Sequence, residues 1–258
     1  MIFTLSVLAF AGVLFVGMLV LLDVGRRIGR RRLQHDAEGA RAGVGVIEGS
    51  VFGLLGLLLA FTFSGAASRF DARRHLIVQE TNAIGTAWQR IDMLPPEFRP
   101  AIQDGFRRYL DARLAAYRKM PDVVAAKQEL ADARRVQDEV WAQATAVCRT
   151  ENGAPARMLL IPAMNEMFDI ADARVLATRM HPPAIVFVML GLLALAGALL
   201  AGYGMAGGQT RSWIHMVGFA TTIALAIYVT LEFEYPRLGF IRLHDFDQAL
   251  VDLRSSMK

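Results

Sequence analysis

Residues 59–90 read LAFTFSGAASRFDARRHLIVQETNAIGTAWQR. An apolar run dotted with Gly, Ala and Ser passes into an Arg-bearing stretch with no Pro and no turn signal between them. Hydrophobic positions keep a helical spacing beyond the join, with Phe70, Ile77, Ile84 and Ile91 recurring every seventh residue. The spacing predicts one helix that leaves the apolar layer and continues into a polar region.

The rest of the chain supports a membrane setting. Of its 258 residues 54% are hydrophobic and 20% charged, and the mean hydropathy is +0.36. A soluble domain of this length rarely averages so apolar. A span needs about 20 apolar residues, and four stretches qualify: 1–22, 44–67, 183–206 and 213–231. The first has no Lys or Arg at its start and its basic cluster follows the apolar run, so it reads as a retained span rather than a signal peptide.

The net charge of +4 is concentrated, not spread. Residues 67–182 hold 17 Lys and Arg against 15 Asp and Glu. The excess lies in residues 24–43, VGRRIGRRRLQHDAEGARAG, read as a short loop between the first two spans. A short basic loop marks the cytoplasmic side, not a polynucleotide partner. By parity the N-terminus, the helical region and the C-terminal tail then lie outside the cytoplasm, in a multi-pass protein of the bacterial inner membrane. Arg69, Arg73 and Arg74 pull the other way, but long domains translocate largely regardless of charge. The single cysteine, Cys148, excludes an internal disulfide and a Cys-based zinc site.

Between the second and third spans, apolar residues recur at helical spacing over 68–93, 97–120, 122–149 and 157–180, with Pro162 a point of kinking and no strand signal. The predicted fold is an all-α membrane protein: four transmembrane helices with a helical bundle inserted between the second and third. Its parts are a first hairpin with an Arg-rich loop at 1–67, a bundle at 68–182, a second hairpin at 183–232 and a C-terminal tail at 233–258.

Gly49, Gly53, Gly56, Ala60 and Ser64 share one face of the second span, and Phe52, Leu59 and Phe63 form a bulky stripe beside it. Small residues at this spacing suit plain helix–helix packing in lipid. Equally, one stripe can pack neighbouring subunits while the other lines an apolar constriction. Arg69, Arg73 and Arg74 fit an interfacial face or an anion-gathering mouth, and Glu80 and Asn82 on the same helix fit capping, subunit contact or ion contact. Past the fourth span, Glu232 and Glu234 precede Pro236 and Arg237. They fit an interfacial Glu–Arg stop or an acidic ring that favours cations. The five histidines do not pair at helical spacing, and no catalytic or nucleotide-binding motif occurs, so neither enzyme activity nor a metal or cofactor is expected.

Arg69-Phe70-Asp71-Ala72-Arg73-Arg74, followed by Glu80-Thr81-Asn82-Ala83-Ile84-Gly85-Thr86-Ala87, resembles the bestrophin-like family of bacterial membrane proteins, as does the tail LEFEYPRLGFIR. More distantly the chain is similar to the bestrophins, homo-oligomeric anion channels whose second span lines the pore with bulky apolar residues. That resemblance implies Phe52, Leu59 and Phe63 as neck residues, self-association and ions as passengers. Two departures stand beside it: no Trp-rich run follows the span, and the basic loop favours a helical domain outside the cytoplasm. The expected function is a homo-oligomeric ion channel in the lipid bilayer. The alternative is a non-conducting sensor or scaffold with an extracytoplasmic helical domain.

Overall fold

The computed structural model describes residues 2–36, 44–208, 210, 212–236, 238–241 and 244–258, with backbone alone for 2–4 and 244–246. Most of these are helical, with no strand among them. The helices are α1 (Ile2–His35), α2 (Val44–Arg90), α3 (Arg99–Lys119), α4 (Val123–Cys148), α5 (Ala154–Ala177), α6 (Ala184–Gly204), α7 (Trp213–Glu234) and α8 (His244–Ser256). Four segments are long and apolar enough to cross a membrane: Leu5–His35, Val44–Met93, Ala184–Gly207 and Trp213–Glu234. The chain is a multi-pass membrane protein.

The helix predicted through residues 59–90 is α2, unbroken from Val44 to Arg90. The loop read at 24–43 is shorter than expected, because α1 runs on to His35 and carries Arg26, Arg27, Arg30, Arg31 and Arg32 on helix. Arg41 lies outside the described residues. The C-terminal stretch read as a tail holds α8. Pro162 sits within α5, which continues past it.

The contacts divide into two compact units: Met1–Ser68 with His181–Phe240, and Arg69–Met180 with Ile241–Lys258. In the first, Leu14, Met18 and Leu22 of α1 are buried with Leu190, Ala194 and Ala198 of α6 and Met216, Ala220 and Ile227 of α7. Glycines bring the α1 and α6 backbones together. A Cβ on Gly25 would overlap the Leu199 carbonyl, and one on Gly202 the Leu22 carbonyl. Close approach of this kind drives association where lipid is as apolar as the side chains. Arg26 is buried; its Nη2 donates to the carbonyls of Gly208 at 3.0 Å and Thr210 at 2.6 Å, and Arg30 Nη2 reaches Gly208 O at 3.1 Å. These cations satisfy carbonyls left open just beyond the α6 C-terminus.

In the second unit, Ile77, Ile84 and Ile91 of α2 enter a core with Ile102, Phe106 and Leu110 of α3, Val140 and Ala144 of α4, and Leu160, Met164 and Met167 of α5. Leu250 of α8 and Met257 just past its end complete it. Asp122 caps α4, its Oδ1 accepting from Val124 N at 3.1 Å and Ala125 N at 3.0 Å. Arg254 of α8 meets the Asp111 carboxylate through Nε at 2.8 Å and Nη2 at 2.9 Å.

Candidate functional site

The first-unit part of α2 presents its small residues outward. Gly49, Gly53 and Gly56 would gain no neighbour within 4 Å from an added Cβ, and Ala60 and Ser64 are exposed. Of the bulky stripe, Phe52 is half-buried, edge-on to Phe219 of α7 at 5.8 Å and against Gly197 of α6. Leu59 packs on the unit's core. Phe63 is 42% exposed although its ring meets Phe233 edge-on at 5.6 Å. Only 6% of the most apolar stretch of this span is buried within the chain, against 22%, 28% and 33% in the other three. Most of its surface is therefore left to lipid or to a neighbouring molecule.

The two acidic residues closing α7 are buried within the first unit. Glu232 accepts from Phe240 N at 2.7 Å, and Gly239 lies so near that a Cβ there would overlap the carboxylate. Glu234 meets His181 Nδ1 at 2.9 Å, and that imidazole stacks on Tyr235 with ring centroids 4.3 Å apart. Arg237 lies outside the described residues.

In the second unit, Arg69 is half-buried and Arg74 pairs with Asp71 at 3.0 Å in the open. Arg73 is buried, donating from Nε to Ala177 O and from Nη2 to Met180 O, each at 3.1 Å. It thereby caps the C-terminus of α5, where the dipole favours a cation. Asn82 is exposed and lines a cleft of about 660 Å³ with Asn165 and Glu166.

Glu80 is fully buried, the least exposed carboxylate among the described residues of this unit, and the centre of a cluster that sequence reasoning missed. Arg113 of α3 reaches its Oε1 through Nε at 2.7 Å and Nη2 at 2.6 Å, while Arg174 of α5 takes Oε2. Arg174 also donates to Asp247 of α8 at 2.9 Å. Two carboxylates thus face two guanidinium groups, and charge is balanced inside the core. Tyr117 adds its ring face, with the Arg174 guanidinium 3.9 Å and the Arg113 guanidinium 5.4 Å from the centroid. Burial works to lower the Arg113 pKa, but Tyr117 and Glu80 more than offset it and the net direction is up. Arg174 follows the same pattern with the same neighbours. Both stay charged, and the cluster ties α2, α3, α5 and α8 together at one carboxylate.

The arrangement offers apolar surface, packing faces and fixed charge, and no group of three or more metal-ligating side chains occurs among the described residues. His215 is exposed and engages the Ser212 hydroxyl.

A family model described as Bestrophin-like domain matches residues 7–245. No curated protein matches the chain. Among solved structures it is similar to two crystal structures of a bacterial bestrophin homologue from Klebsiella pneumoniae. A tryptophan-to-alanine variant of that protein aligns with TM-score 0.68 at 16% identity, over 97% of this chain and 99% of that one. A tyrosine-to-alanine variant gives TM-score 0.63 at 16% identity, over 94% and 99%.

Proposed function

Since the chain belongs to the bestrophin-like family, we propose that it is a homo-oligomeric ion channel of the bacterial inner membrane, with its second span lining an axial pore. The observation that carries this reading is the nearly unburied apolar surface of α2, its small-residue face open and its Phe63 ring 42% exposed. Around an axis, Gly49, Gly53, Gly56, Ala60 and Ser64 let the spans of neighbouring copies approach. Phe52, Leu59 and Phe63 narrow the path to an apolar neck that opens and closes by wetting. At the mouth, Arg69, Arg74 and Asn82 meet the ion, while Arg73, Glu80, Glu232 and Glu234 hold the helices in place. Residues 68–182 form a helical bundle inserted between the second and third spans. The Arg-rich end of α1 faces the cytoplasm and the bundle lies on the other side.

Planar-bilayer recording of the purified protein tests conduction. Wild type gives ion currents whose closed-state occupancy falls in Phe63→Ala. Silent wild-type bilayers across voltage, pH and Ca²⁺ overturn the reading.

The second reading, a non-conducting sensor or scaffold, is favoured by the cleft beside Asn82. A stable partner in pull-downs with a monomeric or dimeric detergent particle would support it.

A further inference from the structure

Tyr109 lies in the core of the second unit, on α3, and its hydroxyl has no hydrogen-bond partner among the described residues. Buried polar groups are nearly always paired, so a buried hydroxyl without a partner points to an occupant absent from the chain itself. Burial pushes its pKa above the usual phenol value, so the group keeps its proton and remains a donor.

The same tyrosine lines a cleft of about 280 Å³ between α3, α4 and the end of α5. The floor is apolar, from Leu130, Ala133, Ala171 and Val175. The charge around it is one-sided: Arg113, Lys127, Arg134 and Arg179 against Asp172 alone. Arg113 is neutralised by Glu80, and Arg134 faces Asp172 at 3.4 Å. Lys127 and Arg179 are exposed and have no carboxylate partner among the described residues. Two cations without counter-charge, one buried donor and an apolar floor therefore converge on a cavity a little below the size range of ordinary small-molecule sites.

We propose that this cleft is a binding site for a small organic anion, a carboxylate on a compact apolar body. The carboxylate sits between Lys127 and Arg179, the body lies over Leu130 and Val175, and the Tyr109 hydroxyl donates to a ligand oxygen. Planar guanidinium and point-like ammonium are complementary carboxylate partners. The site stands independently of conduction, because its residues belong to α3, α4, α5 and the turn after α5 and include none of the neck residues.

Isothermal titration calorimetry of the full chain in detergent, with benzoate as the probe, tests the assignment. Benzoate binds, and its neutral counterpart benzamide binds at least tenfold more weakly. The double variant Lys127→Gln/Arg179→Gln weakens benzoate at least tenfold, and also reports partition into the micelle. Tyr109→Phe weakens it severalfold, while helix content and melting of the double variant match wild type. Equal binding of benzoate and benzamide, benzoate binding unchanged in the double variant, or no benzoate heat at all would each overturn the site. Inorganic phosphate binding without benzoate binding would overturn the apolar part of the assignment.

Discussion

Glu80 and Arg174, 94 positions apart, meet as a buried ion pair in the core of the second unit. Arg113 shares the same carboxylate from the other side. Removing the acid leaves two guanidinium groups facing each other away from water. Breaking a buried pair in this way costs about 3–5 kcal/mol. Glu80→Ala is therefore expected to lower the melting temperature far more than Asp247→Asn, because Arg174 keeps Glu80 in the second variant. Circular dichroism melts in detergent give the comparison, and equal losses would argue against a hub at Glu80.

Glycines in the first unit separate by what a methyl group would meet. At Gly25 and Gly202 it meets backbone carbonyls, whereas at Gly12 nothing lies within 4 Å. Gly25→Ala and Gly202→Ala are expected to destabilise by about 1–3 kcal/mol, in the range of overpacked cores. Gly12→Ala is the neutral control. The same melts check it, and a loss in Gly12→Ala equal to that in Gly25→Ala would remove the packing explanation.

Cys148 is 2% exposed, and burial pushes its thiol pKa up against the pull of Arg157. Both effects suppress thiolate at the surface. The native protein is expected to resist maleimide until it is denatured in dodecyl sulfate. Val124 is 70% exposed, so Val124→Cys in a Cys148→Ser background supplies a reactive probe of sidedness. An impermeant maleimide is expected to label it in intact spheroplasts. Labelling only after lysis would place the helical bundle in the cytoplasm.

Gly53 faces open space in the chain. Gly53→Leu is therefore expected to leave helix content and melting of the detergent-solubilised protomer unchanged while shifting the particle to lower mass in light scattering. An unchanged oligomer would move the subunit contact off this face.

Much of the helical architecture was legible because apolar period and Pro punctuation agree with each other. Ile77, Ile84 and Ile91 mark the buried side of α2, and Asp122 follows Pro121 to cap α4. The basic segment reads as a loop because the apolar run stops at Leu22, whereas the helix continues to His35 and carries Gly25 and Gly29. In the structure they are a Gly-x-x-x-Gly pair that admits α6, and the spacing itself was the available signal. Leu250 and Leu253 likewise sit at helical spacing in α8, with Met257 just past its end, a pattern hidden by the helix's shortness. The cluster of Glu80, Arg113, Arg174 and Asp247 had no such signal. Charges 33, 94 and 73 positions apart share no period.

The second unit is discontinuous in the chain, since Leu250, Met257 and the Asp247 partner of Arg174 come after α6 and α7. During synthesis, residues 69–180 emerge first, and chains generally fold from the N-terminal side as they are made. Their core nevertheless lacks α8, and Arg174 lacks half its counter-charge, until two further spans have been translated. A ribosome stalled before residue 244 thus leaves an unfinished hydrophobic surface, and α8, made only after both of those spans, is the helix that closes it.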